Sequence, residues 1–203
     1  MGKLFCIMGK SASGKDTVYK ALVKDPELDL HTVVPYTTRP IREGEAEGEE
    51  YHFVDEAVFR RMAAEGKIIE DRAYNTVYGV WRYFTADDGQ IDFSQGNFMV
   101  IGTLEAYIKM AAYFGSSAVI PIYIEVEDGQ RLQRAIAREQ RQKEPKYAEL
   151  CRRFLADCED FSEEKLSDAG IFKFYENLCL DQCIQKIKTD ILEELHKQRK
   201  ETP

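Results

Sequence analysis

The sequence predicts an α/β fold with a parallel central sheet, and three observations lead to that prediction. Short apolar runs without alternation, typical of strands buried on both faces, recur between segments of helical period. A charged and aromatic stretch with several glycines interrupts this alternation, which indicates a small α+β lobe inserted into the main fold. A strongly basic, helical stretch follows the fourth run. The four runs are Leu4–Met8, Thr32–Val34, Phe98–Ile101 and Val119–Val126.

The first strand leads through a Gly/Ser-rich turn into a helix. That helix is predicted to begin near Lys15, because Val18 and Leu22 share one face from there on. At the other end of the chain, residues 171–175 predict a last strand. A final helix from about Leu180 to Gln198 follows, with its apolar positions at helical spacing.

Residues 35–96 form the predicted inserted lobe. Within it, Asp55 is placed to cap a short amphipathic helix, and Gly66 is placed to close it. Residues 51–54 and 67–70 are predicted as short strands. The basic helical stretch that follows the core runs from about residue 131 to 153 and is expected to break at Pro145.

Composition and charge exclude several classes of protein. The chain has 203 residues and a net charge of −8, which argues against a protein that binds a nucleic-acid backbone through spread basic residues. No apolar run approaches the roughly 20 residues of a membrane span, so neither nucleic acid nor membrane is expected as a partner, and the expected location is cytoplasmic. The five cysteines show no paired spacing, so no disulfide framework or zinc site is predicted.

A phosphate-binding loop of the form G-x-x-x-x-G-K is predicted between the first strand and the first helix. Two glycines let successive backbone N–H groups point inward, the helix N-terminus adds its positive dipole, and Lys15 supplies a charge for the β and γ phosphates of ATP. The alternative is a fortuitous Gly/Ser turn, which requires strand, glycines and lysine to coincide by chance. The predicted ATP-binding residues are Gly9, Lys10, Ser11, Ala12, Ser13, Gly14, Lys15, Asp16 and Thr17.

Asp16 departs from the usual loop pattern, in which the residue after the lysine is Ser or Thr and binds magnesium through its hydroxyl. A carboxylate is also a hard oxygen ligand, so Asp16, with Thr17 behind it, is a candidate magnesium ligand. The equally weighted alternative is a first-turn acidic residue that the helix dipole stabilises.

A second candidate phosphate site follows in residues 36–54. Arginine forks match phosphate oxygens, and a tyrosine hydroxyl adds a donor, so Arg39, Arg42 and Tyr51 could bind a second, smaller phosphate group. Taken alone, these residues favour the alternative of a charged surface loop, since exposed ion pairs are common. In that alternative the arginines pair with Glu43, Glu45 and Glu47.

Residues 37–53 carry the motif T-T-R-P-x-R-x-G-E-x-x-G-x-x-Y-x-F. Together with the phosphate loop, this motif resembles guanylate kinases, which transfer the γ-phosphoryl group of ATP to GMP with magnesium. The resemblance implies a P-loop NTPase core of three layers, a monophosphate-binding lobe and a helical lid. One domain, residues 1–203, is expected, with a core at about 1–34, 97–130 and 160–203, an acceptor lobe at about 35–96 and a lid at about 131–159.

The resemblance also implies roles for single residues of the acceptor lobe. Arg39, Arg42 and Tyr51 would hold the acceptor's phosphate with Glu45 nearby, and Tyr78 matches another phosphate contact. Glu70 matches the residue that accepts hydrogen bonds from the guanine base, for which a carboxylate suits the paired N1–H and N2–H donors.

In the basic stretch, Arg138 and Arg152 match lid arginines that close over the transferring phosphoryl group, and with Lys15 and Arg39 they form the predicted catalytic set. The alternative there is a solvated basic helix face. Asn177 matches an adenine-contacting position, with a helix cap as the alternative.

The chain also departs from the family. Gly102 and Leu104 stand where relatives carry an Asp-x-Asp that helps to position magnesium and the acceptor base; Asp16 and Glu105 are the expected replacements for the metal role. Pro35 and Val80 replace positions that are often serine, and residues 81–97 do not follow the family's helix, which predicts a remodelled wall of the acceptor site.

The predicted function is therefore magnesium-dependent transfer of a phosphoryl group from ATP to a nucleoside monophosphate, with GMP as the expected acceptor. Two alternatives stay open. The chain could act on a different nucleoside or deoxynucleoside monophosphate, or it could be a catalytically weak guanylate-kinase-like module that binds proteins.

Overall fold

The computed structural model describes residues 2–42, 44–76 and 79–201 and shows an α/β fold with two sheets over that part of the chain. In chain order the elements are β1 (Leu4–Met8), α1 (Lys15–Val23), β2 (Leu30–Thr32), β3 (Tyr36–Thr37), β4 (His52–Phe53), α2 (Glu56–Ala64), β5 (Ile68–Thr76), β6 (Gly79–Ala86), β7 (Asn97–Ile101), α3 (Leu104–Phe114), β8 (Val119–Glu125), α4 (Asp128–Glu139), α5 (Tyr147–Asp160), α6 (Glu163–Asp168), β9 (Phe174–Glu176) and α7 (Leu180–Glu201).

The central sheet consists of five parallel strands in the order β2-β7-β1-β8-β9. All five residues of β1 are buried, as expected for a strand covered on both faces. Successive residues of β1 point to opposite faces and enter two apolar cores, one against α3 and the other against α1 and α7. Helix, sheet and helix form the predicted three layers.

The sequence placed β1, β7 and β8 correctly, but two edge strands are shifted. The second strand ends at Thr32, and the last begins at Phe174. Val33 and Ile171 are both buried in the core just outside the strands. Their apolar character indicates burial, although the Val33 N–H still donates a 3.1 Å hydrogen bond to the Met99 carbonyl oxygen of β7.

The inserted lobe is built on a four-stranded sheet in the order β4-β3-β6-β5. Its helix α2 begins as predicted, because the Asp55 carboxylate accepts a 2.8 Å hydrogen bond from the Val58 N–H. The strand predicted over residues 67–70 extends to Thr76 and pairs antiparallel with β6. No strand was predicted in residues 81–97, but β6 extends through the first part of that segment, to Ala86.

The basic stretch forms α4 and α5, which are separated by the irregular segment that contains Pro145, as predicted. The short helix α6 was not predicted; it is capped by the Ser162 hydroxyl. The final helix begins at Leu180, in agreement with the sequence. Among the described residues, no helix is both long and apolar enough to cross a membrane.

Candidate active site

The loop of residues 9–17 lies where β1 ends and α1 begins. A Cβ on Gly9 would lie 2.5 Å from the carbonyl oxygen of Ile124, so only glycine allows the loop to pass β8 this closely. Gly14 has a φ of 86°, and a Cβ there would lie 2.4 Å from Asn177 Nδ2. Both motif glycines are therefore required by the backbone, as the phosphate-loop prediction assumes.

Asn177 forms a hydrogen bond to the backbone of this loop. Its side-chain Nδ2 donates a 2.8 Å hydrogen bond to the carbonyl oxygen of Ser13, and its backbone N–H donates to Glu125. Arg134 Nη2 donates to the backbone oxygen of Asn177 at 2.9 Å. Only 4% of Asn177 is exposed, and α7 begins three residues later, so the side chain braces the loop and does not cap that helix.

Lys15 is the first residue of α1, and charged groups of both signs act on it. Burial lowers its pKa, while Asp16 and Asp157 act in the opposite direction. Arg153 and Arg138 have smaller effects, which lower the pKa of Lys15 further.

Helix α5 contacts the loop directly. Asp157 Oδ2 accepts a 2.7 Å hydrogen bond from the backbone N–H of Ser11, and Arg153 Nη2 donates to the Ser11 hydroxyl at 3.1 Å. Arg131, 1% exposed, donates to the Ser11 carbonyl oxygen and to Asp128. Sequence reasoning did not find Asp157 or Arg131 as contacts, because neither has a motif of its own.

Arg152 lies elsewhere on α5. Two of its three guanidinium nitrogens, Nε and Nη2, donate to the Glu149 carboxylate at 2.8 and 2.7 Å. The side chain of Arg152 is 64% exposed. In this arrangement Arg153, and not Arg152, is the arginine of that pair that contacts the phosphate loop. Lys10 forms an ion pair with Asp128 at 3.3 Å.

In the inserted lobe, Arg39 forms a bidentate ion pair with Glu45. Its two terminal nitrogens donate to the carboxylate at 2.7 and 2.6 Å, and Arg39 is 3% exposed. Burial lowers the pKa of Arg39, but Glu45 and the Tyr83 phenol more than offset it, so the net shift is upward. Its Nε is buried and has no hydrogen-bond partner among the described residues.

The pairing of Arg39 with Glu45 is the one that the surface-loop alternative expected, but the arginine is buried, so the loop is not simply a solvated surface. The backbone N–H of Arg42 also donates to Glu45, at 2.9 Å. Glu47 pairs with His52 instead. Two predicted residues, Glu43 and Tyr78, lie outside the described part of the chain.

Aromatic rings form a wall beside Arg39. The Tyr51 ring lies 5.1 Å from the Arg39 guanidinium and meets Tyr83 edge-to-face, with ring centroids 5.6 Å apart. Tyr74 contacts Tyr83 in the same way, at 5.6 Å. Burial raises the pKa of Tyr51, so its hydroxyl stays protonated and able to donate.

Glu70 lies at the inner end of β5 and is 2% exposed. Its carboxylate accepts hydrogen bonds from Thr85 at 2.9 Å and from Arg72 Nε at 3.1 Å. Arg72 also reaches the core, because its Nη1 donates to the Thr103 hydroxyl at 3.3 Å. Arg72 was not singled out from the sequence, although the period of two in a strand places it on the same face as Glu70.

The residues that replace the missing carboxylates contribute to packing. A Cβ on Gly102 would lie 3.0 Å from Cys6 Sγ, and Leu104 is 3% exposed in the core. Glu105, one expected metal replacement, is paired with Lys109 at 2.7 Å. Asp16 is exposed in the first turn of α1, beside the exposed Thr17.

Comparison with known proteins finds similarity over the first part of the chain. Residues 1–84, which hold the phosphate loop, Arg39 and Arg72, match the family model "Guanylate kinase". The chain resembles guanylate kinases. A guanylate kinase from Syntrophomonas wolfei is 44% identical over 84 residues, which are 41% of this chain and 43% of that protein. One from Zymomonas mobilis is 39% identical over 80 residues, or 37% of each chain.

The likeness in fold extends further than the likeness in sequence. A crystal structure of guanylate kinase from Anaplasma phagocytophilum superimposes with a TM-score of 0.67 over 95% of this chain and 86% of that one, at 19% identity. The chain spans only about two fifths of the length of the curated relatives that it matches in sequence. The guanylate kinase fold is therefore shown, while α4 and α5 lie outside the residues that match the family model.

Proposed function

We propose that this chain transfers the γ-phosphoryl group of ATP to a nucleoside monophosphate, with GMP as the acceptor. The observation that carries the proposal is the loop between β1 and α1, in which a Cβ on Gly9 or Gly14 would clash and which places Lys15 at the first residue of α1. Arg153 donates a hydrogen bond to the Ser11 hydroxyl of the same loop. Backbone N–H groups, a helix N-terminus and two cationic side chains favour a nucleoside triphosphate as the ligand.

The acceptor's phosphate is proposed to bind at Arg39, Arg42 and Tyr51. Glu45 holds the two terminal nitrogens of the Arg39 guanidinium in place. The buried Nε–H of Arg39 has no hydrogen-bond partner among the described residues, and such a donor favours binding of an oxyanion. Tyr51 is placed against the same guanidinium and can donate its hydroxyl proton. Arg42 is exposed and is proposed to close on the phosphate from solvent.

These groups suit the chemistry of phosphoryl transfer, in which the protein aligns two phosphates, neutralises their charge and excludes water. Lys15 is proposed to contact the β and γ phosphates of the donor. Arg138 and Arg153 would stabilise the charge on the transferring group, and closure of α4 and α5 would exclude water.

Magnesium is proposed as the cofactor. Asp16 and Thr17 are hard oxygen donors beside Lys15, and Mg²⁺ favours such a site because it takes one or two protein ligands and the rest from phosphates and water. Among the described residues no group of three His, Cys, Asp or Glu side chains could hold a metal ion, so the fit is to an ion that arrives with the nucleotide. When bound, the ion would neutralise phosphate charge.

The test is a coupled assay of ADP release with ATP, magnesium and a panel of GMP, dGMP, AMP, CMP and UMP. Turnover that requires GMP or dGMP supports the proposal. Turnover with another acceptor corrects the substrate, and nucleotide binding without any turnover favours the binding-module alternative. Lys15→Met is the inactive control, and Lys186→Met, on α7, is the matched control for removal of a lysine charge.

A further inference from the structure

Glu70 and Arg72 form an ion pair in which the arginine covers the carboxylate. The two residues lie on one face of β5, and the Arg72 side chain is 15% exposed while that of Glu70 is 1% exposed. The Glu70 oxygens are contacted by Arg72 Nε, Arg72 Nη2 and the Thr85 hydroxyl. A ligand that enters from solvent therefore meets the guanidinium first.

The N–H groups of Arg72 also indicate that a ligand would meet hydrogen-bond donors at this pair. A guanidinium has five N–H groups, and Arg72 uses three of them, two on Glu70 and one on Thr103. The other two N–H groups, one on each terminal nitrogen, have no hydrogen-bond partner among the described residues. The accessible face of this pair donates hydrogen bonds and does not accept them.

Arg72 also lies between the lobe and the core. Its contact with Thr103 joins β5 to the residue that caps α3 at the carboxyl end of β7. Arg72 thus connects the inserted lobe to the core beside Glu70.

We infer that Arg72 contacts the base of the acceptor and that the acceptor class is the 6-oxopurine nucleoside monophosphates, GMP and IMP alike. The inference rests on the proposed function and names its substrate class. Glu70 is then a positioning residue, because it fixes the guanidinium from beneath and is itself shielded from the ligand.

The preference for a 6-oxo group follows from the two free donors. An arginine fork pairs with the O6 and N7 acceptors of guanine, and hypoxanthine presents the same two atoms. Adenine presents a donor, its 6-amino group, in place of O6, so one N–H of Arg72 would face another donor. Discrimination against AMP follows.

The indifference to the 2-amino group follows from the side chains that the structure describes around the pair. That group is a donor and needs an exposed acceptor, but the Glu70 carboxylate lies under Arg72. Gly102 and Leu104 supply no side-chain acceptor, and a larger residue at position 102 would meet Cys6. GMP and IMP, which differ at that amino group, should therefore bind almost equally.

The experiment measures kcat/KM and equilibrium binding for GMP, IMP and AMP with the full chain and with Arg72→Met, Arg72→Lys and Glu70→Gln. Arg60→Met, on the exposed face of α2, is the matched control. We expect GMP and IMP to agree within about tenfold, and Arg72→Met to weaken both by about 10- to 100-fold while AMP and ATP are unaffected. Arg72→Lys keeps the charge and loses the fork, so it should weaken both nucleotides as well.

A preference for GMP over IMP of 100-fold or more would overturn the inference, because it would mean that the 2-amino group is read. An equal loss for all three nucleotides in Arg72→Met would also overturn it. If an Arg72 variant does not fold, binding of 7-deaza-GMP to the unaltered chain replaces it: weaker binding than GMP supports contact at N7, and equal binding contradicts it. Calorimetric binding separates the two proposals, since absence of turnover with the expected base preference overturns only the proposed function.

Discussion

The carboxylate of Asp157 accepts a 2.7 Å hydrogen bond from the backbone N–H of Ser11. Asp157 lies in helix α5, and Ser11 lies in the phosphate loop, so the hydrogen bond joins residues that are 146 positions apart. Backbone N–H groups of such a loop are the donors that phosphate oxygens require. In the structure one of these donors is occupied by a carboxylate of the protein itself.

Asp157→Asn is expected to tighten ATP binding. The substitution removes a negative charge beside the loop, where it opposes a triphosphate, and leaves a side chain of the same shape. We expect the Kd for ATP to fall about three- to tenfold, which corresponds to roughly 1 kcal/mol for a partly exposed charge. Titration with a non-hydrolysable ATP analogue, followed by calorimetry, measures the change.

Asp160→Asn, one helical turn further along α5 and exposed, is the control for removing an acidic charge from the same helix. Its Kd for ATP should stay close to that of the unaltered chain. Weaker ATP binding in Asp157→Asn would contradict the idea that the carboxylate competes with phosphate, and would indicate that it orders the loop for binding.

The neighbouring arginines Arg152 and Arg153 should differ in their effect on catalysis. Arg153 contacts Ser11 and influences Lys15, whereas Arg152 is paired with Glu149 and mostly exposed. Arg153→Ala is expected to lower kcat/KM by on the order of 10²-fold, as for loss of one group that stabilises the transition state. Arg152→Ala should stay within about threefold, since an exposed pair contributes little.

Steady-state kinetics with varied GMP at saturating ATP measures kcat/KM for both variants, which share the same substitution on the same helix. The sequence prediction favoured Arg152, so the result decides between a prediction from family spacing and a placement from the structure. A larger loss for Arg152→Ala would show that α5 rotates when both substrates are bound, so that Arg152 takes the place of Arg153.

The phosphate loop could be predicted from the sequence because its geometry is local. Gly9, Gly14 and Lys15 are within seven residues, and the backbone between a strand and a helix admits few other arrangements. The cap of α2 at Asp55 is local in the same sense. The position of β6 was missed, because an antiparallel hairpin with polar and aromatic residues on one face gives no clear buried-strand pattern.

Contacts between distant parts of the chain could not be predicted in the same way. The hydrogen bond from Arg72 to Thr103 joins residues 31 positions apart, and no spacing rule relates them. The role of Asn177 beneath Ser13 is similar, since a lone asparagine after a strand is equally consistent with a helix cap. These contacts depend on how the lobe and the last strand pack against the core.

Lys15→Met should abolish activity without lowering the stability of the nucleotide-free protein. Burial lowers the pKa of Lys15, so its charged form is less favourable in the folded chain than in the unfolded chain at neutral pH. Removing the charge removes that cost, while kcat is expected to fall by on the order of 10³-fold. Thermal unfolding of the free protein and the ADP-release assay test the two parts; a lower Tm in the variant would contradict the first.

The ion pair between Glu45 and Arg39 should make stability depend on pH. The hydrogen bonds from Arg39 lower the pKa of Glu45 below its usual 4.5, against a smaller opposing effect of burial. A carboxylate whose folded pKa is lowered stabilises the protein above its unfolded pKa, and this contribution is lost as the pH falls through the folded pKa. The contribution should therefore be complete at pH 7 and decrease below about pH 4.5.

Glu45→Gln is expected to lower the free energy of unfolding by about 2 kcal/mol at pH 7, because it leaves the Arg39 charge buried without a counter-ion. The figure is below that of a fully buried pair, since 17% of the Glu45 side chain is exposed. Urea unfolding at pH 7 and pH 3 measures both proteins, with Glu49→Gln on the same loop as the control. The difference between Glu45→Gln and the unaltered chain should be smaller at pH 3 than at pH 7, because protonation of Glu45 removes its charge as the pH falls through the folded pKa. A difference of the same size at both pH values would show that packing, and not charge, holds this loop.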